Sequence, residues 1–221
     1  MAEQPIQDGI FREIEEELRQ EQFAKLWKRY GRILIAVAVI IVASVAGYKA
    51  WENYDLTSRG EQGERYAASL RLGADGNAEA ALDSLKILSE DAGHGYQLLS
   101  EFQAAALMAA NGDAPGAISA YDKLADDSSL DQLYRDLATL LGTIQAMNSG
   151  ADSETIKSRL ASLTLDTNPW RFSARELMAV TAEQSGDRKT ARELFKALSE
   201  GADTPQGIRQ RAGEMLSALA E

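Results

Sequence analysis

The sequence predicts an all-α protein in which an N-terminal transmembrane helix precedes an α-solenoid of about four helix pairs and a C-terminal capping helix. Three observations predict it: an uncharged apolar stretch between Arg32 and Lys49, a glycine-centred pattern that recurs after it, and no run of alternating apolar residues of the kind that strands need. We expect a cytoplasmic segment, a transmembrane helix and a repeat domain, over residues 1–31, 32–51 and 52–221.

The apolar stretch holds nine Ile, Leu and Val residues between positions 33 and 48. A helix of this length covers only about 24 Å, which is less than the ~30 Å hydrocarbon core of a bilayer, so its flanks must contribute. Trp27 and Tyr30 before it, and Trp51 and Tyr54 after it, are aromatic residues of the kind found in the two headgroup regions. Together these features predict a single membrane span.

Cleavage after Ala46, as in a signal peptide, is the alternative to a permanent anchor. The residues 44–46 are small or apolar at the spacing that signal peptidase recognises. The 32-residue leader, however, is longer than an ordinary signal-peptide n-region and carries six glutamates. This leader favours the anchor and leaves cleavage open.

Basic residues flank the span unequally. Lys49 and Arg59 follow it, whereas four basic residues precede it closely: Lys25, Lys28, Arg29 and Arg32. By the positive-inside rule the N-terminus stays in the cytoplasm and the repeat domain is exported, to the periplasm if the membrane is a bacterial inner membrane. In the leader, Ile10, Ile14 and Leu18 predict an amphipathic helix that contacts either a partner or the membrane surface.

Small residues recur along one side of the span. Their spacing would let a second transmembrane helix approach closely, although small residues are common in such helices in any case. The predicted contact residues are Ala36, Ala43, Gly47 and Ala50.

The exported part is acidic and contains no cysteine. After residue 51 there are 16 basic and 27 acidic residues, a formal charge of −11. This balance argues against nucleic acid and anionic lipid as partners of the domain. The lack of cysteine excludes disulfides and thiolate metal ligands, so packing alone must hold the domain together.

The repeats are centred on four glycines at intervals of 36, 38 and 36 residues: Gly76, Gly112, Gly150 and Gly186. In three copies a small residue follows the glycine by five positions and a bulky one by nine, which gives the pairs Ala81 and Leu85, Ala117 and Tyr121, Ala191 and Phe195. In the third copy the phase slips by one residue, so that Ile156 and Leu160 take these places.

This pattern predicts helix-turn-helix units that stack on one another. The glycine ends helix A in a left-handed conformation, the alanine lets helix B approach helix A, and the bulky residue fills the gap to the next unit. Four residues are placed to cap the B helices: Asn77, Asp113, Asp152 and Asp187. We predict A helices over 52–74, 94–110, 130–148 and 169–185, with an end cap over 205–220.

We find no catalytic, cofactor-binding or metal-binding motif. His94 is the only histidine and fits a residue at the start of a helix. The acidic residues Asp122, Asp126, Asp127 and Asp131 lack the spacing of a calcium loop and fit a solvated connection. Binding is therefore the predicted activity. A concave surface of the A helices would carry it. Seven residues are candidates to line it, of which several must be core instead: Gln97, Glu101, Met108, Tyr134, Arg171, Arg175 and Met178.

The order of the segments resembles a known family. A span ending in Gly47-Tyr-Lys-Ala-Trp51 is followed by tetratricopeptide-like pairs, including Tyr96-QLLSEFQAAALMAANGD and Trp170-RFSARELMAVTAEQSGDRKTAR. This order is similar to the ancillary subunit of the bacterial Sec translocon and to the inner-membrane tetratricopeptide-like proteins grouped with it. The sequence departs from the strict repeat pattern at Ala105 and Ala179, which stand where the pattern has glycine.

The resemblance implies a protein that acts as an adaptor or chaperone near the translocon exit. The expected partners are translocon subunits, a membrane-anchored periplasmic chaperone and newly exported chains, with no cofactor and no catalytic activity. A scaffold for another envelope process, such as cell division or wall synthesis, fits the same architecture.

Overall fold

The computed structural model describes the backbone of residues 4–219 and the side chains of Arg19 and residues 24–219. Within this part of the chain there are nine helices and no strand, which confirms the predicted all-α class. The helices are α1 (Gln4–Ala74), α2 (Ala78–Asp91), α3 (His94–Ala110), α4 (Ala114–Asp126), α5 (Gln132–Asn148), α6 (Ser153–Leu160), α7 (Arg171–Gln184), α8 (Arg188–Glu200) and α9 (Gln206–Ala218). Two compact units are distinguished, Met1–Gly60 and Glu61–Glu221.

The first unit consists of helix α1 up to Gly60. From Ala24 onward α1 is long and apolar enough to cross a membrane. Its apolar side chains lie on the surface, and Val42, for example, is 68% exposed. The side chains of the predicted amphipathic face at Ile10, Ile14 and Leu18 lie outside the described residues.

In the second unit, four turns join A helices to B helices in the same way. The turn glycines Gly76, Gly112, Gly150 and Gly186 have φ angles of +80° to +84°, which an L side chain rarely adopts. The residue after each glycine donates its backbone N–H to the carbonyl five residues earlier, as Asn77 does to Leu72 at 2.9 Å. This pattern is the Schellman motif, which ends a helix and satisfies its last carbonyls.

Three of the four predicted caps are formed. The carboxylates of Asp113, Asp152 and Asp187 accept hydrogen bonds from backbone N–H groups in the first turns of α4, α6 and α8. The prediction for Asn77 was wrong, because its side chain makes no capping hydrogen bond. The Asn77 backbone has nearly the same conformation as that of Asp113 and Asp187, so the missing bond reflects the orientation of the amide side chain.

The core of the second unit is a series of small clusters, each shared between neighbouring helices. One cluster joins Ala105 of α3 to Tyr121 of α4, the next joins Ile156 and Leu160 of α6 to α5 and α7, and the last surrounds Phe195 of α8. The repeat alanines Ala81, Ala117 and Ala191 are fully buried, at 0% exposure. The fold is therefore the predicted solenoid, in which each pair is stabilised by its neighbours.

The A helices end close to the predicted residues. Helices α3, α5 and α7 begin at 94, 132 and 171 and end at 110, 148 and 184, and the last helix α9 covers Gln206–Ala218. The predicted division of the chain into three segments at residues 31 and 51 concerns a membrane and stays a prediction.

Candidate functional site

A cleft shared by three helices of the repeat domain lies between α2 and α4, above α3. We call it the α2–α4 groove; its volume is about 590 Å³. Apolar side chains form its floor, among them Leu85, Met108 and Leu124. Leu85 and Leu124 are buried in the core, so the helices that carry this floor are held in place by packing.

The rim of the groove is charged and mostly acidic. Four carboxylates, Asp83, Glu101, Asp113 and Asp127, face two lysines, Lys86 and Lys123. Asp113 caps helix α4. Hydrogen bonds from the Ser129 side chain and backbone lower the pKa of Asp127. In the described part of the chain, the structure shows no ion pair between these carboxylates and a basic side chain.

A polar atom without a partner lies at the base of the groove. Ser100 of α3 is fully buried, and its hydroxyl has no hydrogen-bond partner among the described residues. An unsatisfied buried hydroxyl costs about 1–3 kcal/mol of stability.

In the next repeat a single arginine connects three helices. Arg159 of α6 pairs with Asp122 of α4, and its Nε donates to Thr143 Oγ1 of α5 at 3.2 Å. The guanidinium lies directly over Gly142 of α5, where an added Cβ would come within 2.9 Å of Nη2. We call this arrangement the Arg159 junction.

The groove and the junction occupy equivalent places in the repeat. Gly142 and Ala104 each lie eight residues before the turn glycine of their repeat, and Asp122 and Lys86 each lie ten residues after one. With the one-residue shift of the third copy, Arg159 corresponds to Ala120. A short side chain therefore stands in the α2–α4 groove at the place where Arg159 stands in the junction.

The connection between the third and fourth repeats is closed by a hydrogen-bond network. Asp136, only 6% exposed, accepts from Gln132 Nε2 at 2.7 Å and from Asn168 Nδ2 at 2.8 Å. The Trp170 indole donates to the Leu133 carbonyl at 3.0 Å. These long-range polar contacts fix the loop before α7, and no local signal in the sequence indicates them.

The seven candidate residues of the concave surface have different surroundings, and a single concave binding surface stays a prediction. Glu101 and Met108 line the α2–α4 groove together with the B helices α2 and α4. They lie four residues before and three residues after the buried Ala105, so they share its face toward the B helices. Met178 packs against the core of the third repeat.

The remaining four candidates do not line the α2–α4 groove. Tyr134 is exposed on α5, and Gln97 donates to Glu101 at 3.4 Å. Arg171 and Arg175 line a separate cavity of about 480 Å³ beside α8. The hydrogen bond and the positive charge of Arg175 lower the pKa of the Asp166 carboxyl group in the same cavity.

The other predicted site residues have plain structural surroundings. Ala36, Ala43, Gly47 and Ala50 are all exposed on helix α1, so their contact with another helix stays a prediction. His94 is the first residue of α3. No group of three or more metal-ligating side chains was found among the described residues.

Solved structures with the same architecture are known. The chain is similar to the nearly identical TPR-like repeats of a Podosopora anserina protein described as a kinesin light chain, with 17% identity and a TM-score of 0.53. The match covers 71% of this chain and 83% of that chain. A second structure of these repeats gives 16% identity and a TM-score of 0.52, with the same coverage. At this identity the likeness concerns the fold alone.

A search of curated protein sequences gave no match to this chain. A family comparison, by contrast, matched residues 24–210, which include both the candidate span and all four turn glycines. The chain belongs to the tetratricopeptide repeat-like domain family.

Proposed function

We propose that this chain is a membrane-anchored protein interaction module that works beside the bacterial Sec translocon, as an adaptor or chaperone for exported proteins. One observation carries the anchored interaction module: the same chain has a helix whose large apolar residues between 33 and 45 are all exposed and a stack of tetratricopeptide-like repeats. A continuous apolar surface of this kind is not stable in water and is stabilised in the hydrocarbon of a bilayer.

The distribution of charge supports an exported repeat domain. Lys25, Lys28, Arg29 and Arg32 lie on the N-terminal side of the span, which favours a cytoplasmic N-terminus. The repeat domain then lies in the periplasm, where its net charge of −11 is repelled by anionic headgroups.

The fold supports an adaptor rather than an enzyme, and the extent of the family match supports the anchor. Stacked helical repeats present an extended surface for other proteins, and nothing in the fold itself supplies a reaction centre. The family match begins at residue 24, so the candidate span belongs to the matched architecture. The translocon as the partner is supported by the resemblance in segment order.

In-cell photocrosslinking tests the partner. A photoreactive amino acid at Gly47, on the small-residue side of the span, is expected to crosslink to translocon subunits or to a membrane-anchored periplasmic chaperone. Val45 is the matched control, because it lies about 160° away around the helix at 3.6 residues per turn. Recovery of division or wall-synthesis proteins at Gly47 would support an envelope scaffold instead and would contradict the proposal.

Single cysteines test the anchor and its orientation, because the chain has no cysteine of its own. In intact spheroplasts an impermeant maleimide is expected to label Ser129→Cys and not Lys28→Cys. The labelled protein should stay in the membrane pellet after carbonate extraction. Release of a shortened protein into the supernatant would show cleavage near Ala46 and would refute the anchor.

A further inference from the structure

The α2–α4 groove is the part of the repeat domain best suited to hold a partner, and its chemistry specifies which one. It has an apolar floor, a rim with four carboxylates and two lysines, and a volume of about 590 Å³. The part of the chain around the groove is acidic, as the rim is. Residues 52–170 contain eight basic and 19 acidic residues and carry the whole net charge of −11. Opposite charge on a partner would therefore be attracted to this groove.

The Arg159 junction shows how the equivalent place is filled in the next repeat. There an arginine side chain crosses α5 at Gly142, pairs with a carboxylate of α4 and donates to a hydroxyl of α5. Charge-assisted hydrogen bonds of this type are stronger than neutral ones. At the equivalent places in the α2–α4 groove, Ala120 provides no such group, and Lys86 and Ala105 stand where the junction has Asp122 and Thr143.

The groove contains acceptors that have no basic partner among the residues that the structure describes. Glu101 is half-buried and accepts a hydrogen bond from Gln97 at 3.4 Å, and Asp83 is exposed on α2. The buried hydroxyl of Ser100 has no partner at the base within the same part of the chain. A basic side chain that entered above Ala104 would come near the Glu101 and Asp83 carboxylates.

We propose that the α2–α4 groove binds a segment of another protein that has apolar residues beside arginine or lysine, and that the carboxylates of the rim hold the basic side chain, since Lys86 stands here at the place of Asp122. This inference rests on the proposed role as an interaction module and adds the chemistry of the partner. Carboxylate-rich segments are excluded by the like charge of the rim.

Peptide binding to the full chain in nanodiscs of zwitterionic lipid tests the inference. The probes are synthetic peptides of equal length and apolar content, whose net charge runs from acidic to basic. We expect basic peptides to bind about tenfold more tightly than acidic ones, as expected from one additional charge pair, and to bind less tightly as salt is added. Equal affinity across the charge series, or no binding, would overturn the inference.

The groove can be closed by copying the junction into it. In the double variant A120R/K86D, an arginine and its carboxylate stand at the places of Arg159 and Asp122, and we expect basic peptides to bind about tenfold more weakly. The single variant K86D is the matched control: it leaves the groove open and more acidic, so binding should be equal or tighter. Unchanged binding by A120R/K86D would place the peptides elsewhere and refute the groove.

Glu101→Gln provides a test that does not depend on filling the groove. It keeps the side-chain shape and removes one charge, so binding of basic peptides should weaken several-fold while the circular dichroism spectrum stays unchanged. Occupation by a second copy of this chain would instead appear as self-association that A120R/K86D abolishes, without a preference for basic peptides, and would contradict the inference. Crosslinking at Gly47 is independent of these results, so loss of peptide selectivity with translocon crosslinks intact would refute only the groove.

Discussion

The α2–α4 groove and the Arg159 junction are the same place in two successive repeats, and they differ in what fills them. In the junction, Arg159 connects α4, α5 and α6 through Asp122 and Thr143. In the groove, Ala120 leaves a space of about 590 Å³, and the rim carboxylates have no ion pair among the described residues. The comparison teaches that a few side chains, at the places of Arg159, Asp122 and Gly142, decide whether this place stabilises the fold or is available for binding.

The difference also separates two uses of charge. Asp122 is 43% exposed and Arg159 only 22% exposed, so their pair is partly shielded from water and contributes more than a surface pair. The carboxylates of the groove contribute no ion pair to the described fold, and their mutual repulsion opposes it slightly. A repeat protein can therefore keep one junction unfilled because its neighbours supply the stability.

The first and largest predicted effect is that of Arg159→Ala. This substitution leaves Asp122 unpaired and removes the hydrogen bond to Thr143, so we expect a loss of about 2 kcal/mol in the free energy of unfolding. Urea unfolding of the full chain in detergent micelles, followed by circular dichroism, measures it. Lys157→Ala is the control on the same helix: its ion pair with Glu154 is exposed, and its effect should be much smaller. Equal effects of the two variants would show that the junction is an ordinary surface contact.

The second prediction concerns the glycine beneath the arginine. A Cβ at Gly142 would lie 2.9 Å from Arg159 Nη2 and 3.1 Å from Tyr121 Cβ, whereas the groove has Ala104 at the equivalent place. Gly142→Ala gains about 1 kcal/mol of helix propensity and loses about 2 kcal/mol through overpacking, a net loss of about 1 kcal/mol.

The double variant with Arg159→Ala makes this test specific. Without the guanidinium most of the overpacking is relieved, so the loss from Gly142→Ala should disappear in that background, with a coupling of about 1 kcal/mol. The same urea titrations give all four free energies. Additive effects would mean that the glycine is needed for a reason other than the arginine above it.

The fold was predictable because its signals are local. A left-handed helix end needs glycine, which Gly76, Gly112 and Gly186 supply. The close crossing of two helices needs alanine, and a buried alanine follows each of these glycines by the same number of residues. Even the phase slip of the third repeat could be identified, and Ile156 and Leu160 are buried at 1% and 0% exposure.

The site was not predictable in the same way, because it is formed by residues that are far apart in the sequence. Arg159 and Asp122 are 37 positions apart, and nothing in the sequence near either residue indicates the other. Asp122 was assigned to a solvated acidic connection together with Asp126 and Asp127. The sequence could not divide the seven candidates between surface and core for a related reason: helix periodicity shows which residues share a face, but not which neighbouring helix that face contacts.

The third prediction compares two buried hydroxyl groups. Ser100 at the base of the groove has no hydrogen-bond partner among the described residues, whereas Thr143 in the junction donates to Thr139 and accepts from Arg159. Ser100→Ala should raise the free energy of unfolding by about 0.5 kcal/mol, and Thr143→Val should lower it by about 1 kcal/mol. Thermal or urea unfolding checks the opposite signs. A loss on Ser100→Ala would show that its hydroxyl is satisfied, and would weaken the case for an unfilled groove.

The last and smallest predicted effect concerns the caps and depends on pH. The Thr155 hydroxyl and N–H lower the pKa of Asp152, and those of Thr190 lower the pKa of Asp187, through hydrogen bonds to each carboxylate. A carboxyl group whose pKa is lowered by folding stabilises the protein above its unfolded pKa of about 4, and this contribution is lost as the pH falls through the folded pKa.

Asn77 in the first repeat provides the comparison, because its amide does not titrate and makes no capping bond. Asp152→Asn with Asp187→Asn should lower the melting temperature at neutral pH, and the difference from wild type should vanish once the pH falls below the lowered pKa of the two carboxyl groups. Asn77→Asp should do the reverse, adding stability at neutral pH that acid removes. Melting curves across this range measure both changes. Parallel curves for all three proteins would mean that the caps do not contribute through their charge, so the first repeat would lose nothing by carrying Asn77.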